Sequence, residues 1–125
     1  MNVVDSSGWL EYFADGPQAK HFAAAIEAVD KLLVPSITVF EVFRRVLQQR
    51  NEGAALQAVA LMQQGRIVDL DLAGALDAAR LGVELRLPLA DSVILATAVR
   101  YRATLWTEDG HFEGLPGVKY FARPR

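Results

Sequence analysis

Short apolar runs alternate along this chain with longer segments in which apolar residues recur every three or four positions. The short runs have the length of buried β-strands, and the longer segments have the period of amphipathic helices. Strands are predicted at residues 3–4, 32–34, 66–70, 104–106 and 118–121. Helices are predicted after the first strand, from Pro17 onward, and at residues 37–50, 54–64, 72–83 and 89–101. This alternation predicts an α/β fold, with a mainly parallel central sheet flanked by helices.

The periodic segments also predict which helix faces are buried. Proline suits the first position of a helix, so Asp15-Gly16-Pro17 predicts a helix start, and Ser36 is predicted to cap the helix that follows it. The segment 89–101 is apolar on nearly every side, which is typical of a central, buried helix. The predicted core-facing stripes are Phe22, Ala25, Ile26 and Val29; Val39, Phe43, Val46 and Leu47; and Leu72, Leu76, Ala79 and Val83.

Composition narrows the class of protein. The 125 residues suit one domain, spanning residues 1–125, with about half of them apolar. No apolar run approaches the roughly 20 residues of a membrane span, and no signal peptide is visible. Because the chain has no cysteine, disulfides and thiolate chemistry are excluded, and a cytoplasmic location is expected. The net charge of −2 means that nucleic acid could be attracted only by a local basic patch.

The first residues carry the first candidate for chemistry. Val3 and Val4 form a short apolar strand that leads directly into Asp5, Ser6 and Ser7. The carboxyl end of a parallel strand is where open α/β sheets place their ligands. Asp5 could equally be a simple helix cap, since aspartate and serine are both preferred in that role.

Three further acids occupy comparable positions. Asp109 follows the strand 104–106, Asp91 lies in the first turn of the buried helix, and Glu41 lies on the polar face of the helix 37–50. Each has an ordinary structural role open to it: Asp91 as a cap, Glu41 in an exposed pair with Arg45, and Asp109 in a turn. Taken together, they are expected to meet at one edge of the sheet.

Four converging carboxylates predict a metal site. Two such charges about 6 Å apart repel by roughly 3 kcal/mol at an effective dielectric near 20, so cations or protons must neutralise the cluster. Oxygen ligands favour Mg²⁺ or Mn²⁺ over zinc. Such a metal activates water and stabilises the displacement at a phosphodiester. The hydroxyls of Ser6, Ser7 and Thr107 are expected to orient the acids or the waters of the metal.

The remaining candidates carry weaker signals. Neither histidine is predicted to be catalytic, because His21 lies beside an apolar stripe and His111 follows a turn. The two tryptophans, Trp9 and Trp106, are predicted to be core residues. A phosphate-facing patch could form from basic residues near the C-terminus, although such residues are commonly only solvated. They are Arg100, Arg102, Lys119, Arg123 and Arg125.

These motifs, in this order and over essentially the whole chain, resemble the PIN-domain family and, within it, the VapC-type ribonuclease toxins of toxin–antitoxin pairs. The resemblance is carried by four segments: Val-Val-Asp5-Ser-Ser-Gly-Trp; Pro35-Ser36 with Glu41 downstream; Leu-Ala-Asp91-Ser-Val-Ile-Leu-Ala-Thr-Ala; and Leu-Trp-Thr107-Glu-Asp109. No single motif is specific, but their order and spacing are.

The resemblance implies a three-layer PIN-like fold and Mg²⁺- or Mn²⁺-dependent hydrolysis of RNA. It implies that Asp5, Glu41, Asp91 and Asp109 form the acidic quartet, with Thr107 accompanying the last aspartate and with Asp5 and Asp91 as metal ligands. A hydroxyl from Ser6 or Ser7 would support the first aspartate. It further implies a homodimer and a small antitoxin partner that wraps over the helices and inserts into the active site.

Other functions remain open from the sequence. A housekeeping RNA-processing nuclease would use the same chemistry, and a PIN-like scaffold could bind RNA or a protein without cutting it. A phosphatase of the haloacid-dehalogenase type wants a second aspartate two residues after the first, where this chain has Ser7. A receiver domain wants an acidic pair ahead of a mid-chain phosphoacceptor, which the sequence does not show.

Overall fold

The structure, a computed structural model, describes residues 1–124. Within them lie five strands and six α-helices. The strands are β1 (Asn2–Val4), β2 (Leu32–Pro35), β3 (Arg66–Val68), β4 (Thr104–Thr107) and β5 (Val118–Tyr120). The helices are α1 (Ser6–Phe13), α2 (Ala19–Ile26), α3 (Ser36–Gln49), α4 (Glu52–Met62), α5 (Leu72–Leu85) and α6 (Leu89–Arg100). Two 3₁₀ turns, Val29–Lys31 and Gly110–Phe112, complete the regular structure.

The strands form one parallel sheet in the order β3-β2-β1-β4-β5. The chain builds outward from β1 through β2 to β3, and then returns to the other side of β1 with β4 and β5. The order therefore reverses between β1 and β4, and open α/β sheets bind ligands in the crevice at the carboxyl end of such a junction. This topology confirms the prediction of a parallel sheet flanked by helices.

Each face of the sheet is covered by its own layer of helices. Consecutive strand residues point to opposite faces, so Val4 packs with α1, α2, α3 and α4, whereas Val3 packs with α6. Trp9 and Phe22 are fully buried on the first face, and Ile94 is fully buried on the second. The result is the three-layer arrangement predicted from the sequence.

Gly8 allows α1 to sit close against the first face of the sheet. A Cβ at this position would lie 2.6 Å from Val4 and 2.7 Å from Phe22, both fully buried. Neither side chain has room to move in a packed core. Glycine at this position therefore sets the path of the chain immediately after Asp5.

Two predicted helix starts were wrong in detail. Pro17 is not the first residue of α2, which begins at Ala19; residues 15–18 instead form a turn in which Asp15 has φ +51° and the Gln18 N–H donates to Glu11. Val29 lies beyond this helix and is exposed. Ser36 is the first residue of α3 and makes no capping hydrogen bond, because the cap position belongs to Pro35.

The predicted burial of α5 was also wrong. Of its stripe, Leu72 and Val83 are 77% and 83% exposed, whereas Ala78 is buried. The helix packs on α6 through small residues, and a Cβ on Gly82 would lie 2.5 Å from the Ser92 hydroxyl. A close approach through small residues excludes the bulky leucines from this contact, so they remain on the outer surface.

Candidate active site

Asp5 occupies the centre of the crevice between β1 and β4. It follows β1, is 2% exposed, and caps α1 by accepting the Gly8 N–H at 3.0 Å. The same oxygen, Oδ1, accepts the Ser7 hydroxyl at 2.7 Å, and Oδ2 accepts the Thr107 hydroxyl at 2.6 Å. Asp5 is thus the helix cap, a role that the sequence left open, and it also lies among the candidate site residues.

Burial makes the charge on Asp5 costly. Desolvation raises the pKa of this carboxyl from 3.8 to about 6, against the opposing effect of the Thr107, Ser7 and Gly8 hydrogen bonds. The negative charge of Asp109 raises it further. Ser7 and Gly8 occupy both lone pairs of Oδ1, and Thr107 occupies one lone pair of Oδ2. The second lone pair of Oδ2 is therefore the position through which Asp5 can bind a cation.

Thr107 connects the two strand-end aspartates. Its buried hydroxyl donates to Asp5 and accepts the Asp109 N–H at 2.9 Å. Asp109 in turn caps the 3₁₀ turn that begins at Gly110, by accepting the His111 N–H. Thr107 therefore fixes both Asp5 and the start of the loop that carries Asp109.

Glu41 reaches the site from the second turn of α3. Its Oε1 accepts the Ser6 hydroxyl at 2.8 Å, which ties α3 to the start of α1. Desolvation raises the pKa of Glu41, and the charges of Asp91 and Asp109 raise it further. The two serines therefore hold different acids, Ser6 holding Glu41 and Ser7 holding Asp5.

Asp91 projects from the first turn of α6 towards Asp109. Desolvation raises its pKa, the charge of Asp109 adds to that effect, and His111 opposes it. Asp91, Asp109 and His111 each place one ligand atom so that all three lie within 4.8 Å of one another. Asp5 is not part of this closest group, although it was predicted with Asp91 as a metal ligand.

His111 lies beside two of these acids, a placement that was not predicted from the sequence. Its Nδ1 lies 2.8 Å from Asp91 Oδ2 and 3.3 Å from Asp109 Oδ1. The hydrogen bond to Asp91 raises the pKa of the imidazole, with a further contribution from the charge of Asp109. One feature of the sequence indicates this placement: His111 comes two residues after a strand-end aspartate, in a loop at the carboxyl edge of the sheet.

His21, by contrast, lies outside the site and stacks on Phe121 with ring centroids 4.7 Å apart. The basic residues do not gather beside the acids either. Arg100 pairs with Asp71 and ends α6, about 14 Å along the helix axis from Asp91, and Lys119 covers the Trp106 ring. Arg123 pairs with Glu108, and Arg125 lies outside the described residues.

The donor set fits a divalent cation. The cluster offers carboxylate oxygens of four acids and one imidazole nitrogen, and three of the acids have pKa values raised first by burial and then by the charge of Asp109. A bound cation would neutralise these charges and lower the cost of keeping them ionised. Oxygen-rich sites of this kind suit Mg²⁺ and Mn²⁺.

A comparison with protein families decides the identity of the fold. The PIN-domain model matches residues 3–118. The chain belongs to the PIN-domain family. No curated protein matches it significantly in sequence.

Several solved structures resemble nearly the whole chain. A toxin–antitoxin complex from Klebsiella pneumoniae is similar at 26% identity and a TM-score of 0.82, covering 98% of this chain and 100% of that one. VapC20 of Mycobacterium tuberculosis, described as a sarcin-ricin loop cleaving toxin, has 14% identity and a TM-score of 0.77 over 93% and 95% of the two chains. DNA-bound VapBC from Salmonella typhimurium has 16% identity and a TM-score of 0.74 over 97% and 96%.

Proposed function

We propose that this PIN domain is a divalent-metal-dependent endoribonuclease and the toxin of a toxin–antitoxin pair. The observation that carries the proposal is the convergence of Asp5, Glu41, Asp91 and Asp109 at the carboxyl edge of the sheet, where the charge of Asp109 helps to raise the pKa of each of the other three acids. The likeness to toxin–antitoxin structures, above all the Klebsiella pneumoniae complex, supports the assignment to a toxin. Within residues 1–124 no helix is long and apolar enough to cross a membrane. As an RNA-cleaving toxin, the protein would act in the cytoplasm.

The position of each acid would determine whether it binds the cation or accepts a proton. Asp91 and Asp109, with the free position on Asp5 Oδ2, would hold the cation, which would activate a water and stabilise the developing charge on the phosphate. Among the described residues the Glu41 side chain is hydrogen-bonded only through Oε1, which leaves Oε2 able to accept a proton from water. Ser6, Ser7 and Thr107 fix the acids before substrate arrives, so little reorganisation is needed during reaction.

Cleavage should depend entirely on a divalent cation. We expect the purified protein to cut RNA in Mg²⁺ or Mn²⁺ and to lose this activity in EDTA, because the four acids would then repel the phosphate. Mapping new RNA ends after induced expression would identify the target. Activity that persists in EDTA would contradict the proposal, and RNA binding without cleavage in either metal would establish the scaffold alternative.

The antitoxin would occupy the groove between α1, α3 and α4. This groove has a volume of about 440 Å³ and a mixed lining, whose apolar side chains include Leu10, Phe13 and Val46. Glu108 also lines it, is 7% exposed, and pairs through Oε1 with Arg123. Its Oε2 is buried without a hydrogen-bond partner among the described residues. Oε2 is closed off from the groove in the free protein, so an antitoxin segment would have to displace neighbouring side chains to bring a lysine or arginine to it. That exchange would be favoured because a buried carboxylate oxygen is costly unless paired.

Glu108→Gln should therefore weaken binding of the antitoxin without altering RNA cleavage. We expect about a tenfold loss of affinity for the product of the adjacent antitoxin gene, since a charge-assisted hydrogen bond contributes about 1.5 kcal/mol or more. Calorimetry would measure the affinity for the antitoxin, with the exposed Glu113→Gln as the control. Unchanged affinity would place the antitoxin elsewhere, and the absence of an antitoxin gene beside this one would favour a housekeeping nuclease.

The outer face of α5 would form a homodimer. On this face Leu72, Leu76 and Val83 are 77%, 49% and 83% exposed, and Leu89 at the start of α6 is 73% exposed. Large exposed apolar patches mark interaction surfaces. We expect light scattering to give twice the 13.7 kDa chain mass, and Val83→Glu to give the monomer mass. The exposed Val29→Glu, on the 3₁₀ turn before β2, is the control. A monomeric parent protein would refute the dimer.

A further inference from the structure

We propose that His111 is a nitrogen ligand of the divalent cation at this site, and that it makes the site prefer Mn²⁺ to Mg²⁺. The inference rests on the proposed metal-dependent function, because it requires that the acids hold a cation. It adds a ligand of a different chemical type to an otherwise all-oxygen set. The placement of its ring nitrogen carries the argument.

The distances around His111 match the spacing of neighbouring ligands on one metal ion. Ligands bound at about 2.1 Å and at right angles to each other lie about 3 Å apart. The separations of Nδ1 from Asp91 Oδ2 and Asp109 Oδ1 are 2.8 and 3.3 Å. All three ligand atoms lie within 4.8 Å of one another, so one cation can contact them together.

The backbone holds the imidazole in this place. The His111 N–H donates to Asp109 Oδ1 at 2.9 Å, which fixes the residue relative to one of the proposed ligands. The next residue, Phe112, is fully buried in the core of the second face. The loop is therefore anchored on both sides of His111, although the His111 side chain itself is 57% exposed.

An imidazole nitrogen changes which metal binds best. Mg²⁺ prefers oxygen ligands and binds nitrogen poorly, whereas transition metals accept imidazole readily. A site with Asp91, Asp109 and His111 should therefore bind Mn²⁺ more tightly than the same carboxylates alone. Binding of Mg²⁺ should depend little on the imidazole.

Pulsed EPR of the protein loaded with Mn²⁺ would test the assignment directly. We expect ¹⁴N coupling from a coordinated imidazole in the parent protein and its loss in His111→Ala. His21→Ala is the matched control, because the chain has two histidines and the other one lies against Phe121. That variant should keep the coupling. By calorimetry, His111→Ala should bind Mn²⁺ about tenfold more weakly and Mg²⁺ within twofold of the parent.

The outcomes separate this inference from the proposed function. If Mn²⁺ binds, Asp91→Asn abolishes that binding and no ¹⁴N coupling is seen, the metal site stands and the assignment of His111 is wrong. If His111→Ala binds both metals more tightly, His111 competes with the cation, and the inference is also wrong. If the parent protein binds neither metal, both proposals fail. A hydrogen-bonding role towards Asp91 alone would leave no ¹⁴N coupling.

Discussion

Asp91→Asn should lower the rate of RNA cleavage by about 10²- to 10³-fold in Mg²⁺. A metal ion supplies several kcal/mol of stabilisation to the charge developing on the phosphate, and each 1.36 kcal/mol is a factor of ten in rate. The substitution removes one ligand charge while keeping the shape of the side chain. Cleavage of a defined RNA at several Mg²⁺ concentrations would measure it, and excess metal should restore part of the activity if weaker binding is the cause.

Loss of folding would not explain this result. The charge of Asp109 raises the pKa of Asp91, and the charge of Asp91 raises that of Glu41, so removing one charge relieves repulsion in the metal-free protein. Asp77→Asn is the matched control, because Asp77 forms only an exposed pair with Arg80. If Asp91→Asn cleaves RNA as fast as the parent, the proposed site is wrong.

The framework of this site was predictable because it follows from the direction of the strands. Asp5 and Asp109 follow strands that run in parallel, so both had to arrive at the same edge of the sheet. The placement of Asp91 was predictable because the helix that carries it begins at that same edge. The buried helix and the apolar strands were equally visible, because nearly continuous apolar runs have few alternatives to burial on both sides.

Features that depend on close packing were not predictable. The sequence of α5 shows a good apolar stripe, but the contact with α6 is decided by the small volumes of Ala78 and Gly82, which hydrophobicity does not reveal. Which acid each serine contacts depends on its rotamer, which directs Ser6 to Glu41 and Ser7 to Asp5. The place of His111 depends on a single 3₁₀ turn, whose direction is set by the cap at Asp109.

Asp5→Asn should abolish cleavage and at the same time stabilise the metal-free fold at neutral pH. Burial raises the pKa of Asp5 to about 6, above the 3.8 of the unfolded chain, so the folded protein holds this proton more tightly. The stabilising effect of that proton is complete below about pH 4 and is lost as the pH rises through 6. Above pH 6 the ionised side chain costs about 3 kcal/mol, by the conversion of 1.36 kcal/mol for each pH unit.

The asparagine side chain avoids that cost while keeping most of the hydrogen bonds. Its amide oxygen can accept the Gly8 N–H and the Ser7 hydroxyl, as Oδ1 of Asp5 does. Its amide group would face Thr107 as a donor, so the hydroxyl of Thr107 must find another acceptor, and part of the gain is lost there. We expect a net stabilisation of about 1–2 kcal/mol at pH 7.5 in EDTA.

Urea denaturation of both proteins between pH 4 and pH 8 would measure the difference in the free energy of unfolding. In EDTA this difference should grow in favour of the variant up to pH 6 and then remain constant. Glu41 and Asp91 contribute slopes of the same sign, but they are present in both proteins and largely cancel. The exposed Asp30→Asn should show no such trend. Addition of Mg²⁺ should stabilise the parent more than the variant, because the variant lacks one of the charges that the cation neutralises. A difference that is flat with pH would show that Asp5 is not strained by its burial, and that its role is confined to capping α1.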